Sequence, residues 1–124
     1  MDIHEACKSG DVEAIKSYSD DVNLTDKFGA SLLHVSVAGG DVEICKILVK
    51  KGADVNKTDV MKRTPIMYAA QNGYQDIISF LAVSGATLEL KDRFGTSASD
   101  IAEANGNIEV YNAALLEENL NKFR

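Results

Sequence analysis

The chain has 124 residues, of which 45% are hydrophobic and 26% are charged, and this composition is typical of one globular domain. Its net charge of -6 and isoelectric point near 4.8 argue against binding to a nucleic-acid backbone or an anionic membrane, because both need clustered basic residues. No apolar run approaches the ~20 residues that span a bilayer, and the polar N-terminal stretch lacks the features of a secretory signal. Since 2 cysteines do not form a disulfide framework, we expect a cytoplasmic protein, with the nucleus as the other possible compartment.

A pattern that contains a glycine before a helix-forming stretch recurs along the whole chain. These glycines are Gly10, Gly40, Gly73 and Gly106. The last three are spaced by 33 residues, whereas the first lies 30 residues before the second, so the first copy lacks three residues in the turn after a helix. We therefore predict a single domain over 1–124, with the first and last repeats acting as caps. The predicted repeats are about 1–25, 26–58, 59–91 and 92–124.

Each repeat is predicted to begin with a short helix. Ser31, Thr64 and Ser97 stand as N-caps, where a side-chain oxygen can accept an otherwise unpaired backbone N–H. Pro65 follows at a first helical position, where it costs no hydrogen bond. The repeat glycine ends this helix in a left-handed conformation. One central position always carries a small residue that would let neighbouring helices approach closely: Ala6, Ser36, Ala69 and Ala102.

A second helix is predicted to follow the repeat glycine. Apolar residues recur within 42–49 and 77–83 with a spacing of about 3.6 residues, which indicates one buried helical face. Gly52 and Gly85 end these helices. The links that follow, such as "ADVNKTDVMKR", are predicted to be extended and to turn before the next N-cap.

The last helix is predicted to be longer than the other second helices. Ile108, Tyr111 and Leu115 are expected to pack on the third repeat, with Leu116 as a further candidate, and acidic side chains are expected to face water as a capping repeat requires. Leu120 and Phe123 extend beyond the repeat pattern. We expect both to pack back onto the domain, because large apolar side chains favour burial, and a second contact surface is the alternative.

The pattern resembles the ankyrin repeat, a family with a period of about 33 residues. Its threonine-proline-leucine-histidine and alanine-alanine-glycine motifs are best kept at Thr64, Pro65, Ile66, Ala69, Ala70 and Gly73. Its leucine-leucine and glycine-alanine-aspartate-valine-asparagine motifs appear as Leu48, Val49 and residues 52–56. The resemblance implies an all-α repeat fold, an ankyrin solenoid of four helix-turn-helix repeats joined by short β-hairpin or extended links.

Residue types that could support catalysis are better explained by the repeat. An enzyme using His34 or Cys45 is the least supported alternative, because Cys45 has no histidine at a helical spacing. His4 and His34 occupy one repeat position, and the resemblance implies that this histidine hydrogen-bonds between repeats. Asn23 and Asn56 begin two glycosylation tripeptides at one repeat position, which we attribute to the repeat itself. We predict no catalytic residue, no metal and no cofactor.

Ankyrin domains generally bind proteins through the link tips and the exposed side of the first helices, which together form a concave groove. An apolar column stands three residues before each N-cap, with basic neighbours, and further polar residues precede the helix-ending glycines. The predicted partner-binding residues are Lys27, Phe28, Met61, Arg63, Gln71, Asn72, Arg93, Phe94 and Asn105. The expected ligand is a segment of an unknown protein that combines apolar and acidic residues. The alternative, which stays open, is that the aromatic column only packs against the next link.

The resemblance implies a non-catalytic protein–protein interaction module. We expect a monomeric, small stand-alone adaptor or inhibitor without nucleic-acid or membrane binding. A regulatory ankyrin fragment of a larger protein is the alternative.

Overall fold

The computed structural model describes the backbone of residues 2–122 and the side chains of residues 2–116. Within these residues the chain forms helices and no strand. The helices are α1 Ile3–Ser9, α2 Val12–Ser17, α3 Leu32–Ala38, α4 Val42–Lys50, α5 Pro65–Asn72, α6 Gln75–Val83, α7 Ala98–Ala104 and α8 Ile108–Lys122. None of them is long and apolar enough to cross a membrane.

The helices stack in two layers. Each first helix contacts its own second helix, and the same neighbours recur along the stack, with α1, α3, α5 and α7 in one layer and the even-numbered helices in the other. This arrangement confirms the predicted all-α repeat fold. The links are turns rather than strands, and among the described residues their strand-type pairing is one isolated bridge between Thr25 and Ser31.

The core lies between the two layers, and it follows the predicted helix faces. The recurring small residue is buried in all four repeats, which lets successive first helices pack closely. Ile77, Ile78 and Leu81 are fully buried in α6, whereas Val83, which we predicted on the same face, is 62% exposed. Val83 follows Leu81 by two residues, and a rotation of about 200° carries it to the opposite side of the helix. The prediction was wrong at this position, and also for Leu116, the further packing candidate in α8, which is 60% exposed.

The helix ends agree with the predicted caps except at one residue. All four repeat glycines have φ between 69° and 77°, the left-handed region that favours glycine. Ser31 and Ser97 accept the backbone N–H of the third helical residue, at 3.2 and 3.3 Å. Thr64 does not, because the Met67 N–H donates to the Thr64 carbonyl oxygen instead, at 3.1 Å. The predicted side-chain cap is therefore wrong at Thr64, whose hydroxyl finds no partner among the described residues.

The first repeat lacks three residues after α2, and a side chain from the second repeat caps this helix end instead. The Lys51 ammonium donates to the carbonyl oxygens of Lys16 and Tyr18 at the end of α2, at 3.1 and 2.9 Å. In the third repeat a local contact serves the corresponding helix end, where the Ser84 hydroxyl donates to the Phe80 carbonyl oxygen at 2.8 Å. A cation at a helix C-terminus also interacts favourably with the helix dipole. Lys51 thus caps a helix of the neighbouring repeat.

The links before α3, α5 and α7 share one turn. An aspartate begins each turn, and its Oδ1 accepts the N–H groups two and four residues later, at distances between 2.9 and 3.1 Å. The fourth residue of the turn has positive φ, with values of 75° at Gly29, 59° at Lys62 and 76° at Gly95. For a residue with a side chain this conformation costs about 1–2 kcal/mol. Lys62 is the one non-glycine residue with positive φ within residues 2–122.

Candidate functional site

The tips of the three links lie side by side. The Val60 N–H donates to the Phe28 carbonyl oxygen at 3.0 Å, and the Arg93 N–H donates to the Met61 carbonyl oxygen at 2.9 Å. These bonds hold each tip against the next and bring the predicted column of Phe28, Met61 and Phe94 together. We refer to residues 27–28, 60–62 and 93–94 as the tip surface.

The tip surface exposes large apolar side chains. Phe28 is 59% exposed, Phe94 is 72% exposed, and Met61 between them is partly buried. Val60 is also 48% exposed, although the sequence reasoning did not select it. That reasoning followed the position three residues before each cap, whereas Val60 lies one residue earlier, where the other links carry basic residues. An apolar residue at this otherwise basic position was the available signal.

The predicted basic residues of the tips differ in their contacts. Lys27 is exposed, and its ammonium lies 5.2 Å from the centroid of the Phe28 ring, in the range of a cation–π interaction. Arg63 is partly used within the protein, because its Nε donates to Asp92 Oδ2 at 3.3 Å. The Arg93 Nε donates to the Val60 carbonyl oxygen. Both arginines therefore join neighbouring links.

The buried Asp92 carboxylate anchors this set of contacts. Its pKa lies below the usual value: burial opposes ionisation, but hydrogen bonds from Thr96, from the Phe94 N–H and from Arg63 outweigh that effect. The carboxylate therefore stays ionised and keeps its bonds within the third link and to Arg63 of the second link.

The predicted residues on the first helices lie at the C-terminal ends of α5 and α7, with their side chains exposed. The Asn72 amide donates to the Tyr68 carbonyl oxygen at 2.9 Å, and the Asn105 amide donates to the Ile101 carbonyl oxygen at 2.8 Å. Gln71 is exposed at the end of α5. The two asparagines thus also complete the ends of their own helices.

Tyr68 is a further residue of the candidate groove that the sequence reasoning missed. It is partly exposed in α5, and its ring packs edge-on against His34 with centroids 4.9 Å apart. Its hydroxyl donates to Asp59 Oδ2. Burial, followed by the hydrogen bond to Asp59, raises the Tyr68 pKa above its usual value. Because the hydroxyl already donates its proton to Asp59, it can only accept a hydrogen bond from a partner.

His34 joins two repeats and has no free nitrogen for chemistry. Its Nδ1 accepts the Ser31 N–H at 3.1 Å, and its Nε2–H donates to the Arg63 carbonyl oxygen at 2.8 Å. The predicted hydrogen bond between repeats is confirmed for His34. It is wrong for His4, whose buried Nε2 has no partner among the described residues.

The buried position of His34 predicts a pH dependence of stability. Burial lowers the pKa of His34, so the unfolded chain binds this proton more readily than the folded one. The stabilisation is complete above the unfolded pKa of about 6.5 and declines as the pH falls through the lower folded pKa. We expect the free energy of unfolding, measured in urea, to fall between about pH 7.5 and about pH 5.5.

His34→Met is the matched control for this effect, because a methionine, Met67, occupies the same position in the third repeat. The variant should show a smaller decline over the same range. An equal decline in both would contradict the assignment to His34.

Cys45 lacks the properties of a nucleophile. Its side chain is fully buried, and burial, followed by the charge of Asp41, raises the thiol pKa to about 12. The reactive thiolate is therefore scarce near neutral pH. Within the described residues, no group of three or more His, Cys, Asp or Glu side chains could hold a metal ion.

Asn23 and Asn56 also have structural roles. The Asn56 amide donates to the Gly85 carbonyl oxygen at 3.3 Å, and its Oδ1 accepts the Thr87 N–H at 2.8 Å. Asn23 makes the same pair of bonds to the second repeat, at 3.1 and 2.8 Å. The recurrence of this asparagine thus follows from its contacts between repeats.

Comparison with curated proteins shows which larger proteins carry similar segments. The chain is 40% identical over 91 residues to E3 ubiquitin-protein ligase hecd-1 of Caenorhabditis elegans, covering 73% of this chain but 3% of the relative. It is 33% identical over 105 residues to Ankyrin repeat and SAM domain-containing protein 6 of Rattus norvegicus, covering 81% of this chain and 12% of the relative. Protein phosphatase 1 regulatory subunit 27 of Mus musculus is 31% identical over 100 residues, or 77% of this chain and 65% of that protein.

The chain thus spans only a small part of the first two relatives. A family model described as ankyrin repeats, in 3 copies, matches residues 3–92. The matched range covers most of the chain and includes α1 to α6, and a fourth helix pair, α7 and α8, follows it. The chain belongs to the ankyrin-repeat family.

Proposed function

We propose that this chain is a non-catalytic module that binds a segment of a partner protein across its tip surface and the C-terminal ends of α5 and α7. The observation that supports the proposal best is the row of exposed apolar side chains, Phe28, Val60 and Phe94, on adjacent tips. Exposed apolar groups that lie close together are typical of interaction sites. The partner segment would combine apolar residues with acidic ones.

Rigidity of the tips supports this function. Each turn is closed by its own aspartate, and neighbouring tips share backbone hydrogen bonds. A surface that is already ordered loses less conformational entropy when it binds, so more of the contact energy appears as affinity.

Charge supports the acidic character of the partner. Lys27, Lys62 and Arg93 are exposed at the tips, although the whole chain has a net charge of -6. The three link aspartates are occupied by backbone N–H groups of their own turns. The exposed side chains of the tip surface are thus apolar or basic, which favours a ligand of complementary charge.

The experiment starts from peptides selected from a displayed random library on the purified protein. A synthetic version of an enriched peptide is titrated against the wild type and against a Phe28→Ala/Phe94→Ala double variant. We expect a loss of affinity of about tenfold or more, because a few buried aromatic anchors usually dominate binding. Fluorescence anisotropy measures the affinity.

Val83→Ala is the matched control, because Val83 is an equally exposed apolar residue located away from the tips. It should bind the peptide as the wild type does. Unchanged affinity in the folded double variant would contradict the proposal.

A second candidate is a regulatory role within a larger protein. It is favoured by the relatives, since the matched segment forms 3% and 12% of the first two. We also propose that the protein resides in the cytoplasm or nucleus, because Cys7 and Cys45 are free thiols, as is usual in reducing compartments. In addition, we propose that it is a monomer. A dimer mass for the purified protein in light scattering would contradict the monomer.

A further inference from the structure

The central link differs from its neighbours at the residue with positive φ. Gly29 and Gly95 occupy this position in the first and third links, and Lys62 occupies it in the second. The turn is nevertheless the same, because the Lys62 N–H donates to the Asp59 carbonyl oxygen at 2.9 Å and the two glycines make the equivalent bond at 3.0 Å. The central link thus adopts a turn that suits glycine, although the side chain of Lys62 makes this backbone conformation unfavourable.

No hydrogen bond or ion pair of the Lys62 side chain within the described protein compensates for this strain. Among the described residues, the Lys62 ammonium makes no hydrogen bond and no ion pair, and the side chain is exposed. A glycine at this position would relieve the conformation without loss of any such contact. Residues held in rarely populated conformations occur preferentially at functional sites, so the strain points to a role outside the folding of the chain.

The position of Lys62 suggests that role. It directly follows Val60 and Met61, in the middle of the tip surface, and backbone bonds join this link to Phe28 on one side and to Arg93 on the other. A charge at the centre of an apolar row favours ligands that carry the opposite charge there, and it rejects ligands of the same charge.

We propose that Lys62 is a specificity-determining residue of the tip surface, where its ammonium group pairs with a carboxylate of an extended, apolar and acidic partner segment. This inference rests on the proposed function of the tips. It adds the requirement that the ligand place an acidic side chain beside its apolar anchors. Binding, rather than folding, is then the reason why a lysine occupies a position suited to glycine.

The inference predicts opposite effects of one substitution on stability and on binding. Lys62→Gly should raise the urea midpoint of unfolding, because it relieves the backbone, while it weakens binding of an acidic peptide. Lys62→Asn, which tolerates positive φ without a charge, should weaken binding similarly. Lys62→Arg should keep most of the affinity. For Lys62→Gly and Lys62→Asn, the loss of one exposed charge pair predicts an affinity for the acidic peptide that is lower by about threefold to fivefold. This difference should be larger at low ionic strength.

The probe is the enriched acidic peptide from the library selection, together with the same peptide in which glutamine replaces its glutamates. Wild type should prefer the acidic form, and Lys62→Gly should reduce that preference. A selection without enrichment of acidic residues, equal affinities of wild type and both uncharged variants, or a Lys62→Gly protein no more stable than the wild type would each overturn the inference.

The tip variants separate the two proposals. If Phe28→Ala/Phe94→Ala loses the peptide while Lys62→Gly and Lys62→Asn keep it, the tips bind and Lys62 does not select the ligand. If all of these variants keep the peptide, the proposed function itself fails.

Discussion

His34→Ala is expected to lower the free energy of unfolding by about 3–5 kcal/mol. The truncation leaves a cavity at a fully buried site. It also removes the imidazole that pairs with two backbone groups, so the Ser31 N–H and the Arg63 carbonyl oxygen lose these hydrogen bonds. Because Ser31 caps α3 and Arg63 belongs to the next link, the loss weakens a helix start and a contact between repeats together.

His34→Met separates the cavity from the hydrogen bonds. Methionine fills a similar volume, so this variant should lose about 1–3 kcal/mol, which corresponds to unpaired buried polar groups. Urea unfolding followed by circular dichroism measures both variants. Equal stability of His34→Ala and the wild type would show that neither contact stabilises the repeat interface.

Gly73→Ala is expected to destabilise the protein by about 2–4 kcal/mol, whereas Gly106→Ala at the equivalent position should cost only about 1–2 kcal/mol. Both glycines have positive φ, 69° and 74°, so the backbone penalty is shared. A Cβ at Gly73 would lie 2.8 Å from the Asn107 side chain, while a Cβ at Gly106 would meet nothing within 4 Å. The difference between the two variants therefore reports the packing of the fourth repeat on the third.

Asn107 explains why this collision is costly. Its amide donates to the carbonyl oxygens of Ala70 and Gln71 at the end of α5, at 3.2 and 2.9 Å, and an alanine at Gly73 would displace it. In an Asn107→Ala background, Gly73→Ala should cost no more than Gly106→Ala. Identical losses from the two glycine substitutions in the wild-type background would contradict this account.

The repeat arrangement explains how such local contacts stabilise the whole molecule. Each repeat packs mainly on its neighbours, so the stability of a solenoid is close to a sum of repeat and interface contributions. Lys51, Asn23, Asn56 and Asn107 each join one repeat to an adjacent one.

Part of the candidate site could be predicted from the sequence, and part could not. The column of Phe28, Met61 and Phe94 follows from the repeat alignment, and backbone bonds hold the three tips together. Whether these residues bind a partner remains a prediction. Tyr68 was missed because its packing partner His34 belongs to a neighbouring repeat, and Val60 was missed because the prediction followed only the position three residues before each N-cap. Leu120 and Phe123, predicted to pack back, lie outside the residues whose side chains the structure describes.

The amino-acid sequence by itself determined the repeat period, the order of the helices, most of their caps and most of their buried faces. These features depend on residues close together in the chain: a cap and its helix, a glycine with positive φ, and an apolar spacing of about 3.6 residues. Only the tertiary structure decided how side chains are shared between repeats, including the capping of α2 by Lys51 and the bonds of His34 to the next link. The physical reason is distance along the chain, since the atoms that these residues contact belong to residues 29 to 35 positions away.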